Sequence, residues 1–123
     1  MDSKMVPDEI ILRLCAQILP DFHEIRQELE QFDPEMSRHA FAVTLMEFGR
    51  GRMSGVDEPE EKDIVFMNNY IDSLNFDNAG AAFFSAYSGG CLMGLASINK
   101  LRPEDFSNAL QVSENFALKE FRR

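Results

Sequence analysis

Tryptophan is absent from the 123 residues, and cysteine and histidine occur twice each. No apolar run reaches the roughly 18 residues that a membrane-spanning helix needs. Each shortage removes a class of function. Cys15 and Cys91 stand alone, each among apolar neighbours, and match neither a zinc-ligand spacing nor a C-x-x-C redox pair. They read as reduced core residues, with a disulfide between them left open. His23 and His39 offer no zinc-protease pair and no nucleophile elbow beside a serine. Both are expected on the surface or at an interface. Base is scarce as well, with 12 Lys+Arg against 21 Asp+Glu and a net charge of -9, and phosphate backbones demand the reverse. Direct binding to bare nucleic acid is therefore not expected. The start Met1-Asp2-Ser3-Lys4-Met5 lacks the basic and apolar character of a secretory leader, which gives the expectation of a cytoplasmic protein.

What is present builds a core. The hydrophobic fraction is 45%, and with no Trp the bulky contribution falls to 11 Phe and 7 Met. The length suits one domain over 1–123, of the size at which single cores are common. Sustained alternation and Asn-Gly hairpins are missing, so strands are not expected. Helix signals recur instead. Pro7-Asp8-Glu9 opens an apolar stretch through Leu19, which Pro20 stops or kinks, and Asp21 then caps a segment carrying Phe22, Ile25, Leu29 and Phe32. Asp33-Pro34-Glu35 reads as a helix start, and Met36, Ala40, Phe41, Val43, Thr44 and Phe48 as the buried side of that helix. Three glycines between Gly49 and Gly55 predict a loop over 49–57. Glu58-Pro59-Glu60-Glu61 begins the next helix, with Ile64, Met67, Ile71 and Leu74 as its stripe, and Asn75–Asn78 is a turn.

The segment Ala79–Lys100 is apolar on most faces. Ala82, Ala86, Gly90 and Gly94 recur every four residues and form a ridge of small side chains that lets another backbone approach closely. It predicts the buried central helix. A last helix after Pro103 carries Phe106, Leu110, Ser113, Ala117 and Phe121 on one side, with Phe116 adjacent. The expected fold is an all-α, compact single-domain bundle of five or six helices around a Gly/Ala-rich centre.

Chemistry is harder to find. Asn75–Gly80 lacks the closing acid of a calcium loop, no Glu-x-x-His pair marks a di-iron bundle, and no glycine-rich turn follows a strand. No metal, cofactor or catalytic residue is expected. The one basic spot, Gly49-Arg50-Gly51-Arg52, reads as arginines paired with nearby acids rather than as an anion site.

Charge is lopsided. Residues 1–62 hold 14 acids and 7 bases, whereas 63–123 hold 7 and 5. The densest run is Asp57-Glu58-Pro59-Glu60-Glu61-Lys62-Asp63, and the preference of helix N-termini for acids accounts for only part of it. A one-sided negative field steers a basic partner and repels wrong ones. Met53, in the glycine-rich stretch, and Tyr70 and Phe76, around the Asx-rich turn, are candidate apolar anchors inside that acidic rim. The resulting expectation is a non-enzymatic monomer or weak homodimer that neutralises a basic protein, most concretely an immunity protein or antitoxin facing a nuclease-type toxin. The candidate contact residues are Met53, Asp57, Glu58, Glu60, Glu61, Asp63, Tyr70 and Phe76. Alternatives are a phage- or plasmid-borne inhibitor acting as a nucleic-acid mimic, a small helical ligand-binding or enzymatic protein using a pocket beside the glycine ridge with Tyr87, Cys91 and His39, and a structural or chaperone-like dimer packed through the Ala82/Ala86/Gly90/Gly94 ridge.

Overall fold

The computed structural model describes residues 6–122, in five helices: α1 (Asp8–Phe32), α2 (Arg38–Ser54), α3 (Glu61–Asp72), α4 (Ala79–Ser97) and α5 (Pro103–Glu120). No strand occurs among the described residues, and the architecture is the expected all-α bundle around a Gly/Ala-rich helix. Met1–Met5, on which the leader reading rests, lies outside the described residues, as does Arg123.

α4 is the element around which the others assemble. Every residue from Ala81 to Gly94 is buried, whereas an ordinary surface helix buries a single stripe. Counted as a helix that tolerates serine, glycine and tyrosine, α4 is, contrary to the sequence expectation, long and apolar enough to span a membrane, but most of it is enclosed by protein. Asn78 caps its start by accepting from the Ala81 amide at 3.2 Å. Its end closes with Asn99 in the left-handed region (φ 62°), which lets the Lys100 amide reach back to the Leu95 carbonyl at 2.8 Å. Ser88 donates to the Ser85 carbonyl within the helix, so its hydroxyl is satisfied in the core.

The most extensive helix pairing is α2 on α4. Glycines on both partners allow it. A Cβ at Gly90 would overlap the Met46 carbonyl, one at Gly49 would overlap the Tyr87 carbonyl, and one at Gly94 would sit 2.5 Å from the Arg50 carbonyl. The two backbones are therefore in direct contact, which is the close approach the small-residue ridge predicts. Because the occupant is α2 of the same chain, the Gly90–Gly94 part of the ridge is not free to pack on a second copy.

Three local expectations are corrected. First, Pro20 does not stop α1, which continues through it to Phe32. Proline removes one bond to the carbonyl four residues back, at Ala16, and both residues are exposed, so that carbonyl is open to solvent. The buried side (Ile11, Cys15, Ile18, Phe22, Leu29) passes through uninterrupted, so packing outweighs the lost bond. Second, Asp33-Pro34-Glu35 is a turn. The Asp33 carboxylate accepts from the Glu35 amide at 3.2 Å, and Ser37 caps α2 instead, accepting from Ala40. Third, the predicted loop at 49–57 is helical through Ser54, and only Gly55 (φ 73°) adopts the left-handed conformation that ends α2. Gly49 sits inside the helix for close packing. Phe41 is buried as expected, whereas Ala40 and Phe48 are exposed.

Aromatic rings fill the other side of α4. Phe22 meets Phe84 edge-on at 5.3 Å and Phe121 at 5.8 Å, and Phe84 lies 5.5 Å from Phe116 on α5.

These contacts make two glycine substitutions behave oppositely. Gly90→Ala should destabilise the fold by ~2 kcal/mol, because its methyl meets backbone that cannot step aside. Gly51→Ala meets nothing nearer than 3.8 Å and should stabilise by roughly 0.5–1 kcal/mol through helix propensity. Urea unfolding of both variants checks the signs; equal effects would contradict the α2–α4 contact.

Candidate protein-binding face

The expected contact residues divide into two groups. Asp57 and Glu58 are exposed in the connection from α2 to α3, and Glu61 is exposed on the first turn of α3. Glu60 and Asp63 form a capping box there: the Glu60 amide donates to Asp63 at 3.4 Å, while the Glu60 side chain accepts from the Asp63 amide. Lys62 pairs with Glu60 at 3.4 Å. The acids thus do cluster along one connection. The proposed anchors have other duties. Met53 is half-buried on the last turn of α2, against Gly94, and not in a loop. Tyr70 stacks on Phe66 and donates to Glu114 of α5 at 2.8 Å. Burial and that carboxylate hold its phenol above the usual range. Phe76 packs on Phe83, and its carbonyl accepts from Arg38 at 3.1 Å.

Glu60 and Asp63 border a groove with Phe66 and Phe106, and a further open apolar groove lies between α1 and α2. The groove there has a volume of about 600 Å³ and is lined by Ile25, Glu28, Leu29, Phe32, Met36, Thr44 and Phe48. Phe32 is 84% exposed and Phe48 48% exposed. A second lobe of about 430 Å³ shares Ile25, Thr44 and Phe48 and reaches Glu47, Arg50 and Asp57, so the trough ends at the acidic connection. Sequence reasoning took Phe48 as core. The overlooked signal is the pair Met46 and Gly49, three residues apart, which together fix which side of α2 touches α4. Phe48, two residues beyond Met46, points about 160° away from it around the helix and so falls outside that side.

Arg50 joins the two regions. Its side chain is buried, with Nε 2.6 Å from the Glu47 carboxylate and Nη2 donating to the Asp57 carbonyl at 2.9 Å. Arg52 pairs with Asp21 of α1 at 2.8 Å. The arginines of the glycine-rich stretch are thus occupied by acids, as the sequence suggests, and Arg50 pins the acidic connection to α2.

The groups with catalytic potential are not assembled. Cys15 and Cys91 are buried free thiols, each pushed up to about 12 by burial, and so are protonated at neutral pH. Tyr87 is fully enclosed; its hydroxyl has no conventional hydrogen-bond partner and lies beside the Cys91 thiol. His39 stands on the surface between Asn68 (3.2 Å) and Asp72 (3.4 Å). Tyr87, Cys91 and His39 therefore share no open pocket. Among the described residues no group of three or more His, Cys, Asp or Glu is arranged to hold a metal ion.

Replacing Arg50 by Met keeps the length of the side chain but removes both hydrogen bonds. The expected cost is about 2 kcal/mol, together with several-fold faster cutting at Glu60 and Glu61 by a glutamate-specific protease. Unchanged cleavage would show that Arg50 does not hold the connection.

Comparison with protein-family models, curated proteins and solved structures gives no significant match to this chain.

Proposed function

We propose that the chain is a non-enzymatic binding protein that neutralises a basic protein partner, most concretely an immunity protein or antitoxin covering the positively charged cleft of a nuclease-type toxin. The observation that carries this reading is the continuity of an exposed apolar trough with a run of exposed acids. Phe32 lies at one end and Phe48 where the two lobes meet; Asp57 lines the far lobe, and exposed Glu58 and Glu61 continue along the chain from it. Apolar surface at the centre with charge at the edge is the common arrangement of specific interfaces, in which the apolar part sets the dissociation rate and the rim charge sets the association rate.

The charge balance favours a cationic partner. Glu24, Glu28, Glu35, Asp57, Glu58 and Glu61 have no ion pair among the described residues, while Arg50 and Arg52 are already paired. At about 0.15 M salt the field of such a patch decays over roughly 8 Å, so it acts on a partner at short range.

The test begins with affinity purification from the native cells and identification of the partner by mass spectrometry. A basic partner should bind about tenfold more weakly when salt is raised from about 50 to 300 mM, and similarly when Asp57, Glu58 and Glu61 are changed to Lys. Glu60 is spared because it caps α3. An acidic partner, or binding indifferent to both salt and charge reversal, would overturn the proposal.

A further inference from the structure

We infer that the partner engages the α1/α2 trough with a basic amphipathic helix, its apolar side chains seated against Phe32 and Phe48. This inference rests on the reading of the chain as a binder of a basic protein, and adds the shape of the contacting element and the residues that receive it.

Three observations select that occupant. The first is the trough's form. Its two walls are helices, and its lining repeats at helical spacing: Ile25, Leu29 and Phe32 on α1, Thr44 and Phe48 on α2. Side-chain rows on paired helices leave a furrow that receives the ridge of another helix, with anchors three or four residues apart. The second is apolarity at the surface. Phe32 is among the most exposed hydrophobic side chains of the chain although it continues the stripe of Ile25 and Leu29, so this end of α1 has a face without a cover.

Charge complementarity is the third. Glu24 and Glu28 lie one turn apart on the same side of α1, Glu35 belongs to the turn that leads to α2, and Asp57 lines the far lobe. None has an ion pair among the described residues, and the arginines near the far lobe are held by Glu47 and Asp21. The unneutralised charge around the trough is therefore negative. A second copy of this chain would bring another -9 against it, so self-association is disfavoured and a cationic segment is favoured.

The absence of Trp supplies the assay. A synthetic helix of about 18 Lys and Leu residues, with one Trp on its apolar face, reports its own burial by a blue shift in emission. The expected result is saturable binding to the full chain, weakened about tenfold by the double variant Phe32→Ser/Phe48→Ser and unchanged by Leu118→Ser, which removes an exposed apolar side chain on α5. A matching Glu/Leu peptide should not bind. Both Phe positions are exposed, and circular dichroism of the double variant checks that it stays folded. Binding that ignores the Phe pair, binding by the Glu/Leu peptide, or no binding by the Lys/Leu peptide would overturn the inference. So would a dimer in ultracentrifugation that the double variant converts to monomer, since a second copy would then own the trough. If the natural partner still binds in a manner sensitive to reversal of Asp57, Glu58 and Glu61, the wider proposal survives that failure. If charge reversal has no effect but the Phe pair matters, the wider proposal fails.

Discussion

The contact between α2 and α4 is made by main chain on main chain. Gly49 on one side and Gly90 and Gly94 on the other remove the side chains that would hold the helices apart, and carbonyls of each helix fill the space. Close approach of this kind gains dispersion over many atoms at once, against a helix-propensity cost of about 1 kcal/mol for each interior glycine. It also has a geometric consequence. Once α2 is seated with Met46, Gly49 and Arg50 toward α4, the rotation of α2 about its own axis is fixed, and every other side chain of α2 takes its direction from that.

The features of the binding face follow. Phe48 is turned away from the core and Thr44 lies beside it, which builds one wall of the trough. Arg50, carried into a buried position next to the contact, reaches the Asp57 carbonyl and sets the path of the acidic connection. α1 packs more on α5 than on α2, and its last turns contribute Leu29 and Phe32 as the other wall. The helix that organises the core thus also arranges, through α2, the surface that meets solvent. The thiols and Tyr87 take no part in that arrangement, since they lie within the packed interior, and both histidines are on the surface.

Much of the fold was legible because α4 declares itself. Its composition is apolar on all sides, Asn78 precedes it, and the spacing of Ala82, Ala86, Gly90 and Gly94 announces a close neighbour. Sequence patterns could not name that neighbour, since a ridge of small residues fits α2 and a second chain equally well. The same ambiguity explains the error at Gly49–Ser54, where glycine used for packing resembles glycine used for turning. Pro20 misled for a related reason: its cost depends on which way the Ala16 carbonyl points, and periodicity does not carry that information alone. The acidic connection was legible as a charge run. The apolar trough was not, because whether Phe32 and Phe48 are covered depends on how far α1 and α2 diverge, which is a property of tertiary packing.

Native-state hydrogen exchange tests the organising role of the α2–α4 contact most directly. If that contact anchors the fold, amides of Leu45–Arg50 and Phe83–Gly94 should exchange only through global unfolding, with a common denaturant dependence. Those of Ile25–Phe32 should exchange through a smaller opening that leaves α2 and α4 intact. If α2 instead opens before the last turns of α1, or if α4 exchanges as fast as α1, the contact does not hold the structure together and the account fails.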